Sequence, residues 1–117
     1  MIVGIGVDVV DIARFERGLI RTPALKDRLF AESERELPLR SLAGRFAAKE
    51  ALIKSLGDSS GVQWHDMVIV NNYLGNPSFV LSGGTADIVA KLGITDIHVS
   101  MSHDAGVAIA QVITERA

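Results

Sequence analysis

The chain has 117 residues and a formal net charge of −2; 48% of the residues are hydrophobic, 22% are charged and none is cysteine. This length predicts a single domain over residues 1–117, and the apolar surplus could cover a subunit interface as well as a core. The composition argues against nucleic acid as the main partner and excludes disulfides and thiolate metal sites. Neither a membrane-spanning apolar run nor a basic leader is visible, so we expect a cytoplasmic protein that does not enter a membrane.

The first predicted element is a strand over residues 2–10, because apolar side chains alternate there. One face carries valine and isoleucine side chains, and the other carries Asp8 together with Gly4 and Gly6. Glycine weakens a strand and usually marks the close approach of another backbone or of a ligand. We therefore expect open space beside Asp8.

Helices are predicted for the next part of the chain. Asp11 is placed to cap a helix over residues 12–21, and a short helix ending near Phe30 follows it. The strongest helical pattern is LAGRFAAKEALIKSLG over residues 42–57, which follows Ser41 and is rich in good helix formers. Its terminal glycine is typical of a helix C-terminus.

The remaining predicted elements are short. Ser33 and Glu36 fit a capping box for a brief helix. Residues 67–83 predict two strands around a turn, residues 84–93 a helix, and residues 94–113 a terminal hairpin. The order strand, helices, strands, helix, strands predicts an α+β fold with a small antiparallel sheet and a long central helix.

Two carboxylates are candidate metal ligands. Asp8 lies on the glycine-bearing face of the first strand, although an aspartate there can also simply begin a turn. Glu50 lies on a partly apolar face of the long helix, where a solvent-facing glutamate would have polar neighbours. Mg²⁺ binds through one or two carboxylates, waters and substrate phosphates, which fits this pair. Alternatively, Glu50 forms an i,i+4 ion pair with Lys54.

Basic residues mark one side of two predicted helices. Arg45 and Lys49 lie one turn apart on the long helix, where they form either a solvated face or a phosphate-binding pair. Arg14, Arg17 and Arg21 recur at spacings of three and four, so one face of the first helix carries all three. This face is either ordinary solvated surface or a docking site for an acidic partner. In the second case, the complementary charges would increase the rate at which the two proteins associate.

A histidine near the C-terminus has the side chain best suited to proton transfer near neutral pH. His103 and Asp104 are predicted in the turn of the terminal hairpin, directly after Ser102. The three residues are consecutive, whereas the groups of a Ser–His–Asp hydrolase converge from distant positions, and no nucleophile-elbow motif is present. The sequence therefore disfavours a hydrolase, and a turn histidine bonded to backbone remains the alternative to a functional one.

Three segments together resemble the short, single-domain holo-acyl-carrier-protein synthases of the phosphopantetheinyl transferase superfamily. They are GIGVDVVDIARFER at 4–17, RFAAKEALIKSLG at 45–57 and HVSMSHDAGVAIAQV at 98–112. The resemblance covers nearly the whole chain, in order. It implies a homotrimer with active sites between subunits that transfers phosphopantetheine from coenzyme A to a serine of an apo acyl carrier protein. It also implies release of 3′,5′-ADP and a place in fatty acid or polyketide biosynthesis.

The resemblance also implies a role for each candidate residue of the reaction site. Asp8 and Glu50 match the carboxylates that bind Mg²⁺, and Lys54 matches a lysine near the transferred phosphate. Positions that line the coenzyme A groove or lie near the coenzyme are matched by Arg45, Lys49, His103 and Asp104.

The comparison with the family pattern also concerns the residues that dock the carrier protein and two positions where this sequence departs from the pattern. Arg14 matches the position that faces the carrier protein, and charge and spacing extend this docking face to Arg17 and Arg21. Residues 57–61 form a GDSSG loop where family members often have a shorter Gly-Thr-Gly-like turn, and Asn76 stands where a basic residue is common. These departures affect the contacts expected with the adenosine and the 3′-phosphate.

The catalytic base and two other functions stay open at this point. A water on the metal, Glu50 and His103 can each take the proton of the carrier serine. A non-catalytic trimer that binds coenzyme A or a nucleotide is one alternative, although Asp8, Glu50, Lys54 and His103 would then be retained without need. A purely structural trimer is the other, and it would leave Asp8 with its flanking glycines unexplained.

Overall fold

Strand and helix order in the computed structural model, which describes all 117 residues, follows the predicted sequence of elements. The elements are β1 (Ile2–Asp11), α1 (Ile12–Arg21), α2 (Ala24–Leu29), α3 (Leu39–Leu56), β2 (Met67–Asn71), β3 (Pro77–Leu81), α4 (Gly83–Lys91), β4 (Asp96–Asp104) and β5 (Val107–Glu115). Two short 3-10 turns lie at Glu32–Glu34 and Trp64–Asp66.

The strands form two antiparallel sheets. The first is three-stranded in the order β1-β5-β4, and the second is the β2-β3 hairpin. Asp8 is opposite Ala110 on β5, which is in turn opposite Met101 on β4. The predicted α+β class, with a small antiparallel sheet and a long helix, is confirmed.

The long helix α3 packs directly on the sheet because β1 has no side chains at the crossing. A Cβ added to Gly6 would lie 1.9 Å from the carbonyl oxygen of Ala51, and one added to Gly4 would lie 1.9 Å from that of Ser55. Close approach of another backbone was one of the two expected reasons for these glycines, and it is confirmed. The space is filled by α3, so the glycines do not open room for a ligand at Asp8.

Two helical boundaries differ from the prediction. Helix α3 begins at Leu39, after Pro38, and so precedes the expected start at residue 42, because an apolar residue at 39 packs against the core. The capping box at Ser33 and Glu36 is wrong. The 3-10 turn there is closed instead by Glu34, whose Oε1 accepts a hydrogen bond from the Ala31 N–H at 3.2 Å.

The terminal hairpin is also longer than expected. His103 and Asp104 belong to β4, where they are opposite Ala108 and Val107. The turn lies at Ala105 and Gly106, both of which have positive φ. The prediction that His103 and Asp104 form the turn is therefore wrong.

The face of the three-stranded sheet that points away from α3 is apolar and exposed. Ile5, Val7, Val9 and Ile109 have relative exposures of 61%, 51%, 58% and 40%. Ile5, Val7 and Val9 follow one another on this face of β1. The register places Ile113 and Ile109 of β5 beside Ile5 and Val9 but Gln111 beside Val7, so the apolar patch lies along β1 and is interrupted on β5. No helix of the chain has both the length and the apolar character needed to cross a membrane.

Candidate active site beside β1 and α3

Asp8 and Lys54 form an ion pair between β1 and α3. Lys54 Nζ lies 3.0 Å from Asp8 Oδ1 and also donates to the carbonyl oxygen of Val7 at 3.0 Å. The Asp8 side chain is 17% exposed and the Lys54 side chain 53%. The lysine thus reaches from the helix to the strand while its stem stays accessible to solvent.

Glu50 lies one turn before Lys54 on α3 and is half-buried. Burial raises the pKa of Glu50, the negative charge of Asp8 raises it further, and Lys54 partly opposes both. The alternative that Glu50 simply pairs with Lys54 is wrong, since the carboxylate paired with Lys54 is that of Asp8.

The two carboxylates line a cavity of about 780 Å³ between β1, α1, α2 and α3. Its walls are mostly apolar and include Phe15, Phe46 and Trp64. The rings of Phe15 and Phe46 stack with centroids 5.3 Å apart, and those of Phe46 and Trp64 are 5.8 Å apart. The charged lining residues are Asp8, Asp11, Arg14, Arg28 and Glu50.

Asp8 and Glu50 fit a magnesium site in which substrate and water complete the coordination. No group of three or more His, Asp or Glu side chains that could hold a metal occurs in the chain. Two carboxylates are nevertheless what Mg²⁺ usually takes from a protein when phosphates supply other ligands. A cation would also relieve the repulsion that raises the pKa of Glu50.

Arg45 and Lys49 are not among the residues that line this cavity. Lys49 is 0% exposed and Arg45 7%. Lys49 Nζ lies 2.7 Å from Oε1 of buried Glu34, and Arg45 Nε lies 3.8 Å from Oε2 of the same residue. Burial lowers the pKa of both cations, and the charge of Glu34 opposes this shift. The solvated face is therefore wrong for both residues. Their roles at a coenzyme A groove stay predictions, and the ammonium group of Lys49 is fully enclosed in the single subunit.

His103 and Asp104 are not brought to the carboxylates within one chain. Strand β5 separates β4 from β1, so the two outer strands are about 10 Å apart. His103 is exposed, and Asp104 accepts a hydrogen bond from the Ala105 N–H at 2.9 Å. The predicted grouping of His103 with Asp8, Glu50 and Lys54 does not occur inside a single subunit.

The basic face of α1 is present, but only its first residue reaches the cavity. Arg14, Arg17 and Arg21 are all exposed, and Arg14 lines the cavity. Asp11 caps the helix as predicted, by accepting a hydrogen bond from the Arg14 N–H at 2.9 Å. Arg28 on α2 lines the same cavity, which helical spacing along α1 could not reveal.

The loop after α3 is held by its own residues. Asp58 accepts a hydrogen bond from the Ser60 N–H at 2.9 Å, and this contact lowers the pKa of Asp58. Gly57 and Gly61 both have positive φ. The added negative charge at this loop, noted as a departure from the family pattern, is therefore ionised and turned back on the loop.

Comparison with known proteins gives one consistent result. Residues 4–111 match the family model of the 4′-phosphopantetheinyl transferase superfamily. The chain is 64% identical over 116 residues to a holo-[acyl-carrier-protein] synthase of Leifsonia xyli subsp. xyli, covering 99% of this chain and 98% of that one. A solved holo-[acyl-carrier-protein] synthase from Neisseria meningitidis is similar with a TM-score of 0.92 and 30% identity, over 99% of this chain and 100% of that one. The Helicobacter pylori synthase in complex with coenzyme A has a TM-score of 0.84 and 32% identity, over 95% and 99%.

Proposed function

Because the chain belongs to the holo-[acyl-carrier-protein] synthases of the 4′-phosphopantetheinyl transferase superfamily, we propose that it moves the phosphopantetheine arm of coenzyme A to a serine of apo acyl carrier protein in a Mg²⁺-dependent reaction that releases 3′,5′-ADP. The observation that carries the proposal is the pairing of Asp8 and Glu50 at one cavity, with Lys54 attached to Asp8. A purely structural trimer does not account for this arrangement, whereas a non-catalytic binder of coenzyme A is separated from the enzyme only by a turnover assay.

Each charged residue of the site has a defined part in this proposal. Asp8 and Glu50 would hold Mg²⁺, which when bound would supply positive charge to the pyrophosphate. Lys54 has an accessible ammonium group that can turn from Asp8 to the transferred phosphoryl group and stabilise its charge. Phosphoryl transfer depends mainly on positioning and electrostatics, so these groups suffice for most of the catalysis.

The serine proton requires a base, and besides a water on the metal the side chains available for this role are Glu50 and His103. His103 could act only from a neighbouring subunit, because β5 lies between it and Asp8. A variant such as His103→Ala in mixed assemblies would separate the two possibilities.

A homotrimer would cover the exposed apolar face of the sheet. Ile5, Val7, Val9 and Ile109 are between 40% and 61% exposed, and clustered exposed apolar side chains are typical of interaction surfaces. Packing of this face against other copies would bury it and could bring His103 of one copy to the carboxylates of another. We propose this assembly together with a cytoplasmic location and a role in fatty acid or polyketide biosynthesis.

An acidic carrier protein fits the surface around the cavity. Arg14 and Arg28 stand at the cavity itself, and Arg17 and Arg21 continue the positive face along α1. Complementary charge of this kind mainly accelerates and orients encounter. Arg17→Glu is expected to raise the KM for the carrier with little change in the KM for coenzyme A.

The direct test is mass spectrometry of an apo acyl carrier protein incubated with this protein, coenzyme A and Mg²⁺, with and without EDTA. A gain of one phosphopantetheine that EDTA abolishes, with 3′,5′-ADP as co-product, is the expected result. Asp8→Ala is expected to keep the fold by circular dichroism and to lose the reaction. A folded sample that modifies none of several apo carriers would contradict the proposal and direct attention to the loop at residues 57–61.

A further inference from the structure

Glu34 and Lys49 form a buried ion pair that the proposed reaction does not use. Glu34 is 1% exposed and Lys49 0%, and the distance from Nζ to Oε1 is 2.7 Å. Desolvation of two charges consumes most of what their attraction supplies, so a pair of apolar residues would stabilise the core as well or better. Stability alone therefore does not account for the pair.

The hydrogen bonds of the pair connect four segments of the chain. Lys49 Nζ on α3 donates to the carbonyl oxygen of Leu29 at the end of α2, at 2.9 Å, and to that of Trp64 at 3.5 Å. Glu34 accepts from the N–H groups of Ala31 at 3.2 Å and of Ile69 on β2 at 3.3 Å. The three donors of the ammonium group thus meet three acceptors, counting the carboxylate of Glu34.

Two of these acceptors belong to the walls of the cavity. Leu29 and Trp64 both line it, and so does Glu50, the residue that follows Lys49 on α3. The Trp64 ring lies against Phe46, which lines the cavity from α3. The pair therefore lies directly behind the wall and bonds it to the helix that carries Glu50.

We propose that the Glu34–Lys49 ion pair is a positioning element for the transfer reaction, which holds the cavity wall formed by Leu29 and Trp64 in a fixed relation to Glu50. An apolar side chain could fill the same volume, but it could not bond two carbonyl groups in defined directions. The inference depends on the proposed function only in taking this cavity as the reaction site. Both residues act through others and contact no reacting atom.

The test removes both charges and compares the result with a matched core variant. Lys49→Met combined with Glu34→Gln removes the ammonium donors and the carboxylate of the pair together. Arg45, which is 7% exposed and lies 3.8 Å from Glu34, then lacks its counter-charge, so Lys49→Met alone, in which Glu34 keeps Arg45, is measured beside the double variant. Val112→Ala is the control, because Val112 is 0% exposed and lies on β5, away from the pair. Trp64 is the only tryptophan, so acrylamide quenching of its fluorescence measures the wall without any substrate. Kinetics with coenzyme A and an apo carrier, at a temperature where all variants are folded, give the second readout.

We expect the double variant to make Trp64 more accessible and to lower kcat/KM for the carrier by about 10- to 100-fold, since a misplacement of about 1 Å can cost about 10²-fold. Val112→Ala should leave both readouts within about twofold of the original chain. Unchanged Trp64 quenching in the double variant, or equal losses of kcat/KM in the two variants, would overturn the proposal. If the double variant does not fold, Lys49→Met alone, in which Glu34 keeps Arg45 as its counter-charge, is judged by the same readouts. Failure of the original chain to modify any carrier would refute the proposed function instead, and the quenching result would still decide the role of the pair.

Discussion

Gly6→Ala is the change that most directly tests how β1 and α3 create the site. The added Cβ would lie 1.9 Å from the oxygen and 2.9 Å from the carbon of the Ala51 carbonyl, and 3.0 Å from the Ser55 nitrogen. All three atoms are backbone, so no side chain can rotate away. The strand and the helix must separate by roughly 1 Å, and overpacking of this kind costs about 1–3 kcal/mol of unfolding free energy.

The same separation must disturb the two carboxylates. Asp8 follows Gly6 by two residues on β1, and Glu50 directly precedes Ala51 on α3. Moving β1 from α3 therefore widens the gap between Asp8 and Glu50, the proposed ligands of the metal. Turnover is expected to fall by about 10²-fold, even at temperatures where the variant is folded, because catalysis is sensitive to displacements of about 1 Å.

Urea denaturation measures the first effect and phosphopantetheine transfer the second. Gly18→Ala is the matched control, since a Cβ on that glycine meets no atom within 4 Å and Gly18 lies inside helix α1. This control should raise stability by up to about 1 kcal/mol, the usual difference between glycine and alanine in a helix. If Gly6→Ala is as stable and as active as the original chain, the account of the β1–α3 contact is refuted.

Three other changes test the charges and the assembly. Burial and the charge of Asp8 raise the pKa of Glu50, so the folded protein keeps the carboxyl proton of Glu50 to a higher pH than the unfolded chain does. The free energy of unfolding therefore falls as pH rises from the usual glutamate pKa of about 4.3 through the raised value. Glu50→Gln should therefore melt at a higher temperature than the original chain near neutral pH in EDTA, but not below about pH 4, and an equal melting temperature at neutral pH would contradict the raised pKa. Lys54→Met should lower kcat by about 10²-fold with little change in the carrier KM, while Lys91→Met on α4 should change neither; similar kinetics for both would exclude Lys54 from the site. Val7→Arg places a charge on the exposed sheet face, and light scattering should then detect monomers, whereas a persistent trimer would place the interface elsewhere.

Local patterns were enough to predict most elements and the central pair of carboxylates. Alternation in β1 and the helix-forming run in α3 are properties of neighbouring residues, so their periods are visible in the sequence. The glycines near Asp8 are typical of the close approach of a backbone or of a ligand, and the open space predicted from them is wrong because α3 fills it. Asp8, Glu50 and Lys54 were named in advance on these patterns and on the family resemblance, and the structure does bring them together.

Helical spacing could not show the surroundings of Arg45 and Lys49. Two cations one turn apart are compatible with a solvated face, a phosphate site or a buried pair, and only the partner distinguishes these cases. The partner is Glu34, which lies 15 residues before Lys49 and reaches it because the chain folds back between α2 and α3. The sequence pattern suggests instead that Glu36 has a capping role. Local capping patterns contain no information on burial, so they could not identify Glu34 as the buried partner.

Residue type and short-range periodicity are enough to predict the order of the elements and the α+β class, and together with the family resemblance they name the candidate residues of the site. The tertiary structure decided which charges are buried, which residues line the cavity and that His103 lies across the sheet from Asp8. These properties depend on contacts between residues that are distant in the chain. Their physical origin is the packing of α3 onto glycine-bearing β1 and the position of β5 between β1 and β4, neither of which is encoded in any single segment.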